Sequence, residues 1–287
     1  MVDVKRADVT LVTTDPLPEP DLDEAPLVAA LKEAGLTVRV CAWKDPEVDW
    51  SESAVTVVRS TWDYYREIDE FLRWIARTCE VSGLWNPAEV LRWNAHKGYL
   101  LSLPLQGVRV VPTVLVKRGQ AMSLGGICEA EGWRHVVIKP AISAGSYRTH
   151  QVFAEAPRED LFGELVADGD VLVQPYMESV DEYGERSMVF IDGALSHCVR
   201  KHPRFAGGEE RVTGPEVPTD EEVRVAEKAL STIDAELLYG RVDLVRDGAG
   251  KVVVAEVEVM EPSLFFRFAE GSARRFAEGV RRRLERL

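Results

Sequence analysis

Between Tyr239 and Leu264 the chain reads YGRVDLVRDGAGKVVVAEVEVMEPSL, with acids at Asp243, Glu256, Glu258 and Glu261. Val242, Leu244 and Val245 lead into Asp247-Gly248-Ala249-Gly250, which is turn chemistry, and Lys251 to Val259 resumes a β-branched run. The segment therefore predicts one β-hairpin. A short loop centred on Gly248 and Ala249 sets Asp243 opposite Val254, and the two-residue period of a strand then places Val254, Glu256 and Glu258 on the face that carries Asp243. Three carboxylates in one small volume repel one another unless the face is wet or a hard divalent cation lies among the oxygens. Mg2+ takes carboxylates together with phosphate oxygens. A solvated antiparallel face is the alternative that the hairpin by itself leaves open.

A chain of 287 residues buries a large core and has room for two or three subdomains around a cleft. With 46% hydrophobic and 29% charged residues it has an ordinary globular composition, no apolar run long enough to span a bilayer, and no signal-peptide core in MVDVKRADVTLVTT, so the cytoplasm is the expected location. Cys41, Cys79, Cys128 and Cys198 form no CxxC pair, which argues against a zinc site or a disulfide framework. A net charge of −13 argues against a nucleic-acid surface. Arg281-Arg282-Arg283, beside Glu278 and Glu285, is expected on a solvated helix face.

Strand and helix signals alternate through the first ninety residues: strands at Val9 to Val12, Val38 to Cys41 and Val55 to Val58, and a helix over Leu27 to Ala34 with Pro26 in its first turn and Gly35 as its stop. Phe71, Leu72, Trp74 and Ile75 then recur at helical spacing. This is a βαβ-type parallel sheet. Asn86-Pro87 marks the first boundary. Beyond it the expected elements are a helix over Ala95 to Leu103, a strand over Arg109 to Val116, a helix near Gln120 to Glu131 and a strand over His135 to Lys139. Further strands, a helix over Asp220 to Ile233, the acidic hairpin and a closing helix from about Phe265 follow. Gly207-Gly208-Glu209-Glu210 is expected as a short mobile loop. The division this suggests is 1–90, 91–176 and 177–287.

His135-Val136-Val137-Ile138-Lys139 is a buried-strand pattern ending in a lysine, and Pro140-Ala141-Ile142-Ser143-Ala144-Gly145-Ser146 follows as a loop of small residues. A lysine reaches phosphate oxygens as a point charge, and a bare small-residue loop closes over them through its N–H groups. The loop is not a Walker A sequence, and no GxGxxG follows an early strand. An ordinary strand end with a snorkelling lysine is the alternative.

Taken in order, Asn94-Ala95-His96-Lys97, Lys139 with its loop, Leu172-Val173-Gln174-Pro175-Tyr176-Met177, Gly184-Glu185-Arg186-Ser187, Arg200-Lys201, Asp243 and Glu256-Val257-Glu258 resemble the ATP-grasp superfamily. The likeness is to its glutathione synthetase-like and D-alanine:D-alanine ligase-like members, over about Asn86 to Phe266. The resemblance implies an α/β fold with α+β lobes: an ATP-grasp fold behind an N-terminal parallel-sheet pre-ATP-grasp domain. It also implies that Lys97 and Lys139 contact ATP phosphates and that Ser143, Ala144, Gly145 and Ser146 cover them. Gln174, Pro175, Tyr176 and Met177 would line the adenine, Glu185 would lie at the ribose, and Asp243, Glu256 and Glu258 would hold Mg2+. The family's usual pattern at the last position is Glu-x-Asn, where this chain has Glu-x-Glu. Arg200 or Lys201 is a further phosphate contact on the same expectation.

Arg59-Ser60-Thr61-Trp62-Asp63-Tyr64, Arg92-Trp93-Asn94 and Glu261-Pro262-Ser263-Leu264-Phe265-Phe266 are similar to an actinobacterial-type ATP-grasp subgroup that includes the D-cycloserine-forming cyclase. Ligands of α/β sheets bind outside the carboxyl ends of the strands, which is where Arg59, Ser60, Thr61, Trp62 and Asp63 fall. Arg59 would pair with a substrate carboxylate, Asp63 would receive an ammonium, and Trp62 would form a wall. A helix cap by Ser60 or Thr61 with Trp62 in the core is the alternative. The function expected is ATP- and Mg2+-dependent ligation of a small-molecule carboxylate to an amine, as in natural-product biosynthesis, giving an amide or a closed ring. A small-molecule kinase and a non-catalytic nucleotide-binding regulator are the competing readings. The partners are small molecules, with no nucleic acid and no membrane, and a homo-oligomer is compatible with all of this.

Overall fold

A computed structural model describes residues 6–205 and 211–287, so the expected loop at Gly207 to Glu210 lies outside the described residues. The first ninety residues form β1 (Ala7–Thr13), α1 (Glu24–Glu33), β2 (Val38–Ala42), β3 (Ser53–Ser60), α2 (Ile68–Val81) and β4 (Gly83–Trp85). The strands make a parallel sheet in the order β2-β1-β3-β4, as the alternation predicts. Gly35 ends α1 from the left-handed region (φ 82°), its N–H donating to the Lys32 carbonyl. Phe71, Trp74, Ile75 and Thr78 are the buried stripe of α2.

The middle of the chain comprises α3 (Ala88–Asn94), β5 (Val114–Val116), α4 (Leu124–Glu131), β6 (His135–Pro140), β7 (His150–Phe153), α5 (Glu159–Asp168) and β8 (Val171–Pro175), giving an antiparallel sheet ordered β5-β8-β6-β7. After α6 (Ser179–Glu182) come β9 (Glu185–Ile191), β10 (Ala194–Lys201), β11 (Val212–Glu216), α7 (Asp220–Leu230), β12 (Tyr239–Arg246), β13 (Val252–Glu258) and α8 (Ser272–Leu284). Their sheet is antiparallel, in the order β11-β10-β9-β12-β13. The closing helix returns to the first sheet, where Phe276 and Val280 share a core with Val9, Leu11, Leu27 and Leu31. No helix of the described residues is long and apolar enough to cross a membrane.

Tertiary demands override local pattern in three places. The helix expected over Ala95 to Leu103 is instead α3 followed by 3-10 turns at Lys97–Leu101 and Leu103–Gln106. The break falls at His96, whose backbone is extended, so that the Lys97 N–H donates to the Ala141 carbonyl at 2.7 Å. The strand expected from Arg109 shrinks to β5. Residues 109–111 leave that sheet to flank β13: the Val254 N–H donates to the Arg109 carbonyl and the Val111 N–H to the Val254 carbonyl, both at 2.9 Å. The arginine run is not simply a solvated face either. Arg283 is 2% exposed, lies over the Trp85 ring and pairs with Asp192 and Glu236.

Strand β13 borders its sheet, and side chains from α3 and its flanks satisfy its outer backbone. Asn94 donates to the Val257 carbonyl and accepts from the Val259 N–H, and the Tyr99 hydroxyl exchanges hydrogen bonds with Val257. Asn86 donates to the carbonyls of Tyr239 (2.8 Å) and Val259 (2.6 Å) and accepts from the Leu238 N–H (2.8 Å), all buried. A buried peptide group without a partner is costly, and these amides stand in for a missing strand. Asn86→Ala orphans three buried groups at once and is expected to destabilise the fold by about 3 kcal/mol, read as a lower urea midpoint at unchanged m-value.

Candidate active site

The site is built on the face of the β12–β13 hairpin. Asp243 stands opposite Glu256 and Arg241 opposite Glu258, while nearer the turn Leu244 stands opposite Val254. The expected pairing of Asp243 with Val254 is therefore corrected: the register shifts just after Asp243, leaving Ala255 as the extra residue of a bulge. The shift keeps Asp243, Glu256 and Glu258 on one face, as parity requires, and adds Arg241, which precedes Asp243 by two residues.

These acids are interleaved with cations. Arg241 donates to both oxygens of Asp243 (Nε 2.9 Å, Nη2 3.0 Å), Lys201 Nζ lies 2.6 Å from Asp243 Oδ2, and Arg241 also bonds Glu258. Lys97 Nζ is 3.0 Å from Glu256 and donates to the Ser143 carbonyl at 2.7 Å. Lys201 reaches Glu185 at 2.9 Å. Burial pushes the Asp243 carboxyl upward, but Arg241 and then Lys201 outweigh it and hold the group well below the usual carboxylate range. Burial likewise opposes ionisation of Glu256, and Lys97 with Lys139 overcomes it. Glu258 goes the other way: burial, with Glu256 and Asp243 adding to it against Arg241, pushes it up to about 7. Burial, reinforced by Glu258, pushes Glu261 up to about 8. Lys139 is lowered by burial and by Lys97 beside it.

One cavity lies over this face. Its walls include Lys97 and Lys139, the Ser143, Ala144, Gly145 and Ser146 loop, Gln174, Pro175, Tyr176 and Met177, then Glu185, Lys201, Glu256, Glu258 and Trp62. Elements far apart in the chain converge here: the 3-10 turn after α3 carries Lys97, the end of β6 carries Lys139, the end of β8 carries Gln174, and the end of β10 carries Lys201. Gly145 and Ser146 both sit at positive φ (58° and 59°), and a Cβ added to Gly145 would meet nothing within 4 Å, so the loop presents bare backbone. Gln174 donates to Thr113 Oγ1 at 2.9 Å, fixing the edge of the 174–177 segment.

Other expected residues stand elsewhere. Arg59 is buried away from the cavity, donating to the Pro262 carbonyl at 3.0 Å with its guanidinium over the Tyr239 ring. Ser60 bonds Thr13, Thr61 is buried, and Asp63 accepts from Trp43 Nε1 and pairs with Lys44. No side-chain cap by Ser60 or Thr61 is formed, since the 3-10 turn at Tyr64–Glu67 starts after Asp63. Only Trp62 of that run, with Tyr64 after it, reaches the cavity. Arg200 bonds the Glu182 carbonyl and turns away from the cavity, because neighbours on a strand face opposite sides and Lys201 takes the inner one. Asp243 is 1% exposed and does not line the cavity, both its oxygens being engaged. Among the described residues no three His, Cys, Asp or Glu side chains gather as a metal-holding group. Glu256 and Glu258, 20% and 25% exposed at the side chain, are the hairpin strand's carboxylates that open onto the cavity. Sequence reading missed Arg241, although its spacing from Asp243 was the signal. It also missed Asp23, a buried acid that accepts from the N–H groups of Leu264, Phe265 and Phe266.

Residues 9–86 match the family described as the N-terminal domain of D-cycloserine synthetase DcsG. The cycloserine biosynthesis protein DcsG of Streptomyces lavendulae is 36% identical over 302 aligned positions, covering 96% of this chain and 99% of that protein. The crystal structure of D-cycloserine synthetase DcsG superposes with a TM-score of 0.87 at 34% identity, covering 96% of this chain and 99% of the other. A structure of the ATP-grasp ligase PsnB with a minimal precursor, Mg and ADP shares the fold, with a TM-score of 0.63 at 17% identity over 99% of this chain and 98% of that one. With its parallel first sheet, its two antiparallel sheets and a cavity lined by lysines and glutamates between them, the chain has the ATP-grasp fold and belongs to the DcsG family.

Proposed function

We infer that this chain is an ATP-dependent carboxylate–amine ligase for a small amino-acid-like molecule, working through an acyl phosphate and forming an amide or closing a ring. The observation that carries the reading is the convergence of Lys97, Lys139 and Lys201 on one cavity, between a bare small-residue loop and the Glu256–Glu258 strand. Kinship with a protein of cycloserine biosynthesis supports an amino-acid-derived substrate. In this reading Lys139 and Lys97 hold phosphate oxygens and residues 143–146 close over them. The 174–177 segment takes the base, and Glu185 lies at the sugar.

The donor set suits Mg2+ at Glu256 and Glu258, which offer carboxylate oxygens at the cavity wall. Asp243 serves from behind, anchoring Arg241 and Lys201 by charge. Mg2+, when bound there, supplies neutralisation of phosphate charge and alignment of the transferred group. The chain's own groups do the rest. The substrate carboxylate attacks the γ-phosphorus of ATP; its new O–P bond replaces the β–γ bridge, and ADP leaves. The amine then attacks the acyl carbon, phosphate departs, and one proton is lost from nitrogen. No side-chain nucleophile is needed, so alignment and charge are the protein's contribution. Cations already paired with acids in the resting cavity are held in place before phosphate arrives.

Lys139→Ala removes a charge that contributes little to the core, and it is expected to weaken ATP binding roughly 30-fold or more in calorimetry while the thermal midpoint stays near that of the parent. Unchanged ATP affinity would take Lys139 out of the site. Glu256→Gln keeps shape and loses charge. ADP formation should fall by at least about 100-fold, and activity within a few-fold of the parent would make Glu256 a structural acid only.

Chemistry separates the ligase from a kinase on the same scaffold. An acyl phosphate is electrophilic at carbon, so hydroxylamine supplied with ATP and the carboxylate substrate should yield a hydroxamate in step with ADP. A stable phosphate ester with no hydroxamate would identify a kinase.

A further inference from the structure

The charged side chains lining the cavity pair off almost completely. Lys97 is matched with Glu256, Lys201 with Glu185 and Asp243, Arg204 with Glu19 at 2.9 Å, and Arg241 with Glu258. Among the described residues two ionisable groups in the wall have no ion-pair partner, one basic and one acidic: Lys139 and Glu261. They lie on different supports. Lys139 ends β6 in the middle sheet, while Glu261 lies beyond β13 where the chain meets the first sheet.

Glu261 also sits on an unusually fixed stretch of backbone. Its own carbonyl accepts from Trp62 Nε1, the Pro262 carbonyl from Arg59, and the Ser263 carbonyl from Arg241, each at 3.0 Å. The next three N–H groups, of Leu264, Phe265 and Phe266, all donate to Asp23. Six consecutive residues are thus held by side chains from other segments, and the first of them turns a carboxylate into the cavity beside Trp62 and Tyr64. Burial and the neighbouring Glu258 push this carboxyl up to about 8, and it has no ion-pair partner to hold it ionised, so a ligand that brings a positive charge is what would stabilise its carboxylate form.

We propose that Glu261 recognises the protonated amino group of the substrate, with Trp62 as the neighbouring wall, so that the enzyme selects molecules carrying a primary ammonium as well as the carboxylate that is activated. The proposal rests on the ligase reading for the identity of the cavity and adds which residue reads the amino group. The two unpaired groups then have complementary tasks: Lys139 answers the anionic nucleotide and Glu261 the cationic end of the second substrate. An ammonium meeting a carboxylate in a partly dehydrated wall forms a charge-assisted hydrogen bond, and the indole of Trp62 favours the same sign of ligand.

The test is binding without turnover. D- and L-alanine and D- and L-serine are titrated into the parent enzyme, each against its counterpart lacking the amino group, propionate or 3-hydroxypropionate, with Mg2+ and a non-hydrolysable ATP analogue present throughout. At least one amino acid should bind about tenfold or more tightly than its counterpart. That ratio should fall to within about twofold in Glu261→Gln and survive in large part in Glu261→Asp, with affinity for the ATP analogue unchanged in both. The idea is overturned by an undiminished ratio in Glu261→Gln, or by a parent enzyme that prefers no amino acid over its counterpart. Hydroxamate trapping keeps the two readings apart. Hydroxamate formed with an unchanged ratio removes Glu261 alone, whereas a ratio that collapses as expected without any hydroxamate removes the ligase chemistry and leaves the ammonium site.

Discussion

Charge alternation on the hairpin face is the constraint from which the rest of the site follows. Asp243, Glu256 and Glu258 share that face with Arg241, and Lys97, Lys139 and Lys201 come down onto it from three other elements. Partly dehydrated like charges at these separations cost several kcal/mol, whereas alternating signs recover most of that through ion pairs and charge-assisted hydrogen bonds. The network therefore demands that the turn after α3 and the ends of β6 and β10 meet the hairpin in one arrangement. A helix continued through His96 would carry Lys97 away from Glu256 and cost the Lys97 N–H its bond to the Ala141 carbonyl. The 3-10 geometry there is what the charge network selects.

Holding such a network still requires a stiff support, and two devices supply it. Side-chain amides and a phenol bind the outer backbone of β13, so a bordering strand behaves as an interior one. Asp23 then gathers three successive N–H groups beyond the strand, a nest that places the 261–266 stretch against the first sheet. Both devices use polar side chains far from the hairpin in sequence, and neither has a local signature.

This explains what could and could not be read from residues alone. Periodicity fixes strands and helices wherever a single face is buried, and the parallel first sheet, the hairpin and α7 followed from it. Parity placed Asp243, Glu256 and Glu258 together even though the register was wrong, because a bulge that shifts pairing at Ala255 leaves the facing of Glu256 relative to Asp243 intact. Long-range hydrogen bonds decided the rest. Arg59 and Asp63 lie at the carboxyl end of a strand, where ligands usually bind. Their partners, the Pro262 carbonyl for Arg59 and Trp43 and Lys44 for Asp63, arrive from elsewhere in the chain. Asn94 read as part of a nucleotide motif and proves to be a backbone clamp as well.

The first sheet meets the cavity through little more than Trp62 and Tyr64 after β3 and Glu19 after β1, while Lys139, Lys201 and the hairpin acids belong to the other two sheets and Lys97 to the 3-10 turn after α3. On the function proposed above, Trp62 would then meet the substrate from the first sheet, while the phosphate-binding lysines and Glu261 come from the rest of the chain. If the proposed ligase chemistry holds, drift in the βα loops of the first sheet would change what is joined without moving Lys97, Lys139 or Lys201. On that reading a lineage built this way would diversify its products while inheriting one set of activating residues.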